Sequence, residues 1–342
     1  MSVLAWVVLA CVATAGSYAL VRWLRQPVVF LPEPEPEIAP EAVARPEAVP
    51  EPVLAPISEP VPEPEPALVP APDLVSARRW VTAVSAAAPL VSLGLYVHHR
   101  RFVQYHAHKG IQRPMPFGTW LRAETLGAGT LGWWYVTGFR KDGLRIPENA
   151  VGRPVLCVHG YSQNATNFVG LRRVLEADGR PTVAISLGHR LAPMEWYALR
   201  LARKLEEMAS AHADGFDVVA HSMGGVVLRM VLSARSELRP AVRTVVTLGS
   251  PHRGTAAARG IPWVPELVAL RRRSALLREL PQLTELVPDG RVVTIAGDTD
   301  TIVYPVESSL LPGAESVVLP GIGHAGLLTS PVSWDAVRRA LR

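Results

Sequence analysis

The sequence predicts an α/β protein in which a mostly parallel sheet carries helices on both faces. Three observations lead there. From residue 154 onward, short apolar runs alternate with amphipathic stretches, the pattern of strands joined by crossover helices. One of those strands, Phe216-Asp217-Val218-Val219, runs into Ala220-His221-Ser222-Met223-Gly224-Gly225, a serine flanked by small residues with a helix pattern beyond. Downstream of that serine, one strand-like run leads into a loop bearing aspartates and the next into a glycine-rich loop bearing a histidine.

Taken in order, residues 3–21 contain no charged side chain, and Arg22 and Arg25 follow at once. Nineteen apolar or small residues suffice to cross a bilayer. No Lys or Arg precedes them, so the basic start of a cleavable signal is missing. Residues 1–26 are therefore expected to be a retained transmembrane anchor. Residues 27–77 follow as a Glu/Pro-rich linker, with 15 prolines in the 46 positions from 27 to 72. Such a segment cannot bury a core, and polyproline-II geometry makes it an extended, disordered spacer.

Residues 78–149 form an N-terminal extension. Within it, Trp80 to Val97 is a second uncharged stretch containing Pro89 and bounded by Arg78-Arg79 and His98-His99-Arg100-Arg101. It is compatible with a second span, an interfacial helix or a helix packed on the domain. With one span, Arg22 and Arg25 favour a cytoplasmic catalytic part; with two spans it lies on the other side. The aromatic stretch 118–138, with Trp120, Trp133, Trp134 and Tyr135, suits either a membrane interface and pocket entrance or the packing of early strands.

From 150 to 342 the alternation is regular. A strand at 154–158 leads to a helix near 167–177, stopped by Gly179. Strand 181–186 precedes a helix near 196–212, and strand 216–220 precedes a helix at 223–234 whose apolar face is Val226, Val227, Met230 and Val231. Strands at 243–248, 291–296 and 316–319 follow, with a closing helix near 333–341. Between the first two of these, residues 256–287 form an insertion rich in leucine with Arg271-Arg272-Arg273. It reads as a small cap over a pocket, or more simply as a connecting pair of helices.

The serine is the candidate nucleophile. A turn that swings from strand into helix within one residue needs nearly side-chain-free positions two before and two after, and Ala220 and Gly224 meet that demand. The bend lifts the Ser222 hydroxyl off the sheet and aims the Met223 N–H at a developing oxyanion. A small-x-Ser-x-Gly pentapeptide alone is common by chance; its place between strand and helix is what makes it informative.

A hydroxyl needs an imidazole base, itself oriented by a carboxylate, and here the chain order is serine, acid, histidine. Downstream of Ser222 the histidines are His252 and His324. His324 lies on the glycine-rich loop beyond the last strand and is the predicted base. His252 comes too early and is expected to shape the pocket wall. The loop Gly297-Asp298-Thr299-Asp300 offers two acids. Asp300 is preferred, and Asp298 is the alternative, its other role being to cap the turn. The strand Val155-Leu156-Cys157-Val158 ends in His159-Gly160-Tyr161. Gly160 lets the backbone approach a substrate, and the Tyr161 N–H is the expected second oxyanion donor. His159 is read as structural, packed under the loop.

These segments, with Leu248-Gly249-Ser250-Pro251-His252-Arg253-Gly254-Thr255 and Gly323-His324-Ala325-Gly326-Leu327-Leu328, resemble the bacterial triacylglycerol lipases and esterases of the α/β-hydrolase superfamily, in particular its GPI-inositol-deacylase-like branch. The resemblance covers roughly residues 150–342. It implies the α/β-hydrolase fold and hydrolysis of carboxylic esters of lipid or acylglycerol type. Ala220 where glycine is usual and Arg253 where a small residue or a second histidine is common are departures, and Arg253 would alter the substrate rim.

The expected function is thus that of a membrane-anchored serine hydrolase working through an acyl-enzyme on a lipid or small ester, with no metal or organic cofactor. Acyl transfer and thioester or amide cleavage use the same residues and stay open, as does a non-catalytic tethered binding module. The whole chain carries a net +5, split as −7 over residues 1–77 and +12 over 78–342. A basic domain on a tether suits anionic head groups, and no aromatic-basic motif accompanies the charge to suggest nucleic acid. Cys11 in the anchor and Cys157 in a strand are read as packing residues that say nothing of compartment. Oligomeric state is not legible.

Overall fold

A computed structural model describes residues 149–342, except 162, 188–192 and 261–264, together with scattered positions between 96 and 146. The expected anchor (1–26), the linker (27–77), nearly all of the 80–97 stretch and all but Gly118 and Leu131 of the 118–138 stretch lie outside the described residues. Among the described residues no helix is long and apolar enough to cross a membrane.

Seven strands form one sheet among the described residues: β1 (Gly143–Arg145), β2 (Val155–Val158), β3 (Thr182–Ile185), β4 (Phe216–His221), β5 (Val242–Leu248), β6 (Arg291–Gly297) and β7 (Glu315–Leu319). Their order across the sheet is β1-β3-β2-β4-β5-β6-β7. All neighbours are parallel except β1, which runs antiparallel to β3 at the edge. The sequence reading did not include β1, whose three residues are too few to show a period. The helices are α1 (Val169–Ala177), α2 (Met194–Ala211), α3 (Met223–Ala234), α4 (Pro265–Ala269), α5 (Ala275–Glu279), α6 (Leu283–Leu286), α7 (Gly326–Thr329) and α8 (Pro331–Ala340).

The central strands are apolar on both faces because helices cover both. Alternate residues divide between two cores. Leu156, Val158, Val218, Ala220 and Val245 meet Leu201 and Leu205 of α2 and Val227 and Val231 of α3 on one side. Val155, Cys157, Val219, Val246, Val293 and Ile295 meet Leu171 and Leu175 of α1 and Val337 of α8 on the other. Cys157 is fully buried there, and burial pushes its thiol up to about 12, so it is a packing residue with no accessible thiolate. The α1 helix stops where expected, with Gly179 taking φ +81° just beyond it.

Two polar features brace the sheet away from its carboxyl end. Asp217, near the start of β4, is fully buried and accepts hydrogen bonds from Arg153 (3.2 Å) and Arg180. Arg172 of α1, almost fully buried, donates to the side chain and carbonyl of Thr182 in β3. The insertion 256–287 is built of a 3-10 turn at Ala257–Gly260 and the three short helices α4, α5 and α6. It is therefore more broken than a connecting pair of helices. A buried arginine on α3 ties it down: Arg229 donates to the carbonyls of Leu280, Pro281 and His252. Burial lowers its guanidinium to about 10, still charged at neutral pH.

Candidate active site

The site forms at the carboxyl ends of β2, β4, β5, β6 and β7, the usual place for function in a parallel sheet. Strand β4 ends at His221 and α3 begins at Met223, leaving Ser222 alone to make the turn. Its backbone sits at φ 54°, ψ −129°, a conformation that costs on the order of 1–3 kcal/mol for a residue with a side chain. Two hydrogen bonds hold it: the Ser222 N–H donates to Leu248 O at the end of β5 (2.9 Å), and Ser222 O accepts from the Gly225 N–H (3.1 Å). A β-carbon on Gly224 would stand 2.6 Å from His159 O and 2.8 Å from Val158 O. That contact gives the physical reason for a glycine two residues after the serine.

His324 follows β7 and faces Ser222, with Nε2 3.0 Å from Oγ. Its Nδ1 is 2.7 Å from Asp300 Oδ2. The other oxygen, Asp300 Oδ1, accepts from the N–H groups of Ile302 and Val303, each at 2.8 Å, which fixes the carboxylate in its loop after β6. Asp300 is 2% exposed, whereas Ser222 and His324 each keep 9%, so the acid is the most enclosed of the three. Asp298 turns away, and its Oδ1 accepts from the Gly321 N–H at 2.7 Å. The three residues Ser222, Asp300 and His324 thus come together from loops 102 and 24 positions apart, and Asp298 takes the turn-capping position.

The loop after β2 runs beside the serine. A β-carbon on Gly160 would lie 2.7 Å from Ser222 Cβ, so only glycine allows the backbone this close. His159 holds the loop from beneath: its Nδ1–H donates to Gly160 O (2.8 Å) and its Nε2 accepts from the Leu187 N–H (2.8 Å). Burial lowers its pKa to about 4, which keeps the acceptor nitrogen unprotonated. Tyr161 follows Gly160, and Met223 opens α3, where first-turn N–H groups have no intrahelical acceptor. The Tyr161 hydroxyl is pushed up by burial and then by the charge of Glu266 in the insertion.

His252 does not stand at an open pocket wall. It is 1% exposed, its Nε2 lies 3.1 Å from Thr247 Oγ1, and a β-carbon on Gly225 would come within 3.3 Å of its ring. It fills the space behind the start of α3, where burial and then the Arg229 charge lower it to about 3.

Two residues with a place in the site were missed in the sequence. Gln163 Oε1 accepts from the Gly160 N–H (2.8 Å) and lies 3.0 Å from His221 Nδ1. His221, fully buried, has its ring 4.6 Å from that of His324, with Nε2 3.3 Å from His324 O. No local pattern marks either one, because their partners are distant in the chain. Among the described residues no group of His, Cys, Asp and Glu is arranged to hold a metal ion.

The fold is that of the α/β-hydrolases. A family model for palmitoyl protein thioesterases matches residues 154–284, from β2 through α6. Among solved structures, lipase B of Aspergillus fumigatus superposes with a TM-score of 0.50 at 19% identity, over 58% of this chain and 55% of that one. The chain therefore spans about half the length of that lipase. The mature lipase BlEst2 of Bacillus licheniformis gives 0.48 at 16% identity, over 58% and 98%. A thermophilic esterase of Thermogutta terrifontis gives 0.41 at 20% identity, over 58% and 93%. At these identities the likeness is one of fold. No curated protein matches the chain in sequence.

Proposed function

We propose that this protein is a serine hydrolase that cleaves acyl esters of lipid type through an acyl-enzyme. One observation carries the reading: the unbroken file Ser222 Oγ, His324 Nε2, His324 Nδ1 and Asp300 Oδ2, at 3.0 and 2.7 Å. In this reading Ser222 Oγ attacks the acyl carbonyl while its proton passes to Nε2. Asp300 holds the imidazole in the tautomer that leaves Nε2 free and stabilises the imidazolium that forms. The carbonyl oxygen, now carrying the charge, accepts from the N–H groups of Tyr161 and Met223. Collapse expels the alcohol, which leaves with the Nε2 proton. Water then attacks the acyl-Ser222 ester by the same route in reverse and frees the acid.

Thioester cleavage is the second reading, and the match to the palmitoyl protein thioesterase model favours it. The residues and their roles are the same; a thiolate departs more readily than an alkoxide and leans less on the acid role of His324. In either case we place the insertion 256–287 as a cap on the acyl side. The packing of Tyr161 against the apolar cluster that holds Leu270 and Leu277 of the insertion supports that assignment. Residues 1–26 as a membrane anchor and 27–77 as its spacer belong to the same proposal and would keep the enzyme at a lipid surface. The charge-free run from 3 to 21 and the proline density support them.

The test is a matched pair of substrates on the full chain in detergent: one palmitoyl group presented as an oxygen ester and as a thioester. A kcat/KM for the oxygen ester equal to or above that for the thioester supports the first reading. A large preference for the thioester moves the assignment to the second. No turnover of either overturns both. Release of the membrane-bound chain by alkaline carbonate would overturn the anchor.

A further inference from the structure

The reading of Ser222 as nucleophile leaves one buried group beside it without a task. His221 precedes the serine, is fully enclosed, and takes no part in the proton path. It lies between the two loops that the chemistry depends on. On one side its Nδ1 is 3.0 Å from Gln163 Oε1, and the same oxygen accepts the Gly160 N–H at 2.8 Å. On the other its Nε2 is 3.3 Å from the carbonyl of His324, and the two rings are 4.6 Å apart at 47°.

We infer that His221 and Gln163 are positioning residues that fix the loop of the Tyr161 oxyanion donor relative to the Ser222–His324 pair. The inference rests on the serine hydrolase reading. Its chemistry can be followed atom by atom. Gln163 must present its oxygen to Gly160, because a backbone N–H can only donate. The His221 ring faces an accepting oxygen at each nitrogen and, while neutral, has one proton to donate; the shorter approach, 3.0 Å to Gln163 against 3.3 Å to His324 O, takes it. His221 is thereby held as the Nδ1–H tautomer. Burial, and then the nearby His324, keep it from taking a second proton. Its Nε2 then stands 3.3 Å from the His324 carbonyl without a hydrogen bond, and the neutral ring adds no positive charge beside His324 as that ring becomes cationic.

The consequence is mechanical. Gly160 has no side chain, and a β-carbon would strike Ser222 Cβ at 2.7 Å and His221 O at 3.1 Å. Sterics at Gly160 therefore prevent the loop from moving inward but set no limit to its moving outward. Two tethers supply the outward limit. His159 holds the Gly160 carbonyl from below, and Gln163 holds the Gly160 N–H. The Gly160 carbonyl shares its planar peptide unit with the Tyr161 N–H, and the Gly160 N–H belongs to the unit before, so a shift at Gly160 carries that donor with it. Oxyanion donors act only if fixed before the charge develops, and loss of one typically lowers kcat by about 10²–10³-fold. A donor displaced but not removed should lie below that range.

The experiment uses the full chain in detergent and exploits the shape of the two amides: asparagine places its NH2 near the Nδ1 position of histidine, glutamine near Nε2. His221→Ala, His221→Asn, His221→Gln, Gln163→Ala and Gln163→Glu are compared for kcat, KM and thermal midpoint on a p-nitrophenyl ester, with Ser222→Ala as the reference for lost chemistry. The expected result is that His221→Ala and Gln163→Ala lower kcat by about 10–100-fold with KM within about twofold of the parent. His221→Asn and Gln163→Glu, which keep the donor and the acceptor respectively, should recover most of the rate, and His221→Gln should not. Gln163 is only half-buried, so its variants fold even if those of His221 do not. A Gln163→Ala variant with parental kcat per folded molecule would overturn the inference. So would rescue by His221→Gln and not by His221→Asn. A parent without activity, or an equally active Ser222→Ala, would instead remove the serine hydrolase reading beneath it.

Discussion

Gly249 abuts the imidazole of His324: a β-carbon on it would stand 3.3 Å from Nδ1, and 3.1 Å from the Asp300 oxygen bonded to that nitrogen. The loop after β5 thus leaves no room for a side chain beside the Asp300–His324 hydrogen bond. Gly249 also sits at φ +54°, where any other residue is strained. Gly249→Ala should therefore act twice. It should cost about 1–2 kcal/mol of stability through its backbone, read as a lower urea midpoint, besides the displacement of Leu327 Cδ1, 2.7 Å from the added carbon. It should also lower kcat by more than that loss of folded protein explains, because the new methyl pushes the acid and the base apart.

The two aspartates of the β6 loop should separate cleanly in kinetics. Asp300→Asn keeps the shape but removes the charge and permits the wrong tautomer of His324, so kcat should fall by roughly 10³–10⁴-fold. Asp298→Asn retains an oxygen for the Gly321 N–H and should stay within a few-fold of the parent. Steady-state rates on a soluble ester check both.

Acid should destabilise the fold through its enclosed histidines. An unfolded histidine titrates near 6.5, while in the fold burial lowers His159 to about 4, His252 to about 3 and His221 well below its ordinary value. Between those values and 6.5 the unfolded chain binds more protons than the native one. Stability from this source is full above pH 6.5 and is lost as pH falls below it, by up to about 1.4 kcal/mol per pH unit for each histidine. Urea midpoints at pH 7.5, 5.5 and 4.5 should fall in that order; a flat series would contradict the neutral, buried assignment.

Asp217 should separate stability from chemistry. It is the second residue of the strand that leads into Ser222, is fully buried, and is held by Arg153 and Arg180. Asp217→Ala removes the carboxylate from both guanidinium groups and should cost about 3 kcal/mol, the low end for a broken buried pair because Arg153 reaches solvent and Arg180 keeps the carbonyls of Arg153 and Leu341. The rate per folded molecule should not change, since the loss lies at the far end of β4.

What the sequence made legible follows from how local each feature is. The strand–serine–helix turn shows because its steric demand falls on adjacent residues, Ala220 and Gly224. The Asp300 and His324 loops show because each follows a strand in a fixed order along the chain. The β1 edge strand was not readable, since three residues hold no period and their pairing is with β3. Arg229 was hidden for a different reason: its partners are main-chain carbonyls at 252, 280 and 281, and a carbonyl has no signature in composition. His221 and Gln163 were hidden by distance, 58 positions apart, and the enclosure of His252, expected at the pocket wall, comes from packing behind α3 that no local pattern announces.

The central claim is that Ser222 is the nucleophile, activated by His324. It is tested most directly by labelling the full chain with a fluorophosphonate and locating the adduct by peptide mass spectrometry. The expected result is one adduct per molecule, on Ser222, with none on Ser222→Ala and labelling at least 100-fold slower for His324→Ala. An unlabelled protein, or an adduct on a different residue that persists in Ser222→Ala, would contradict the account.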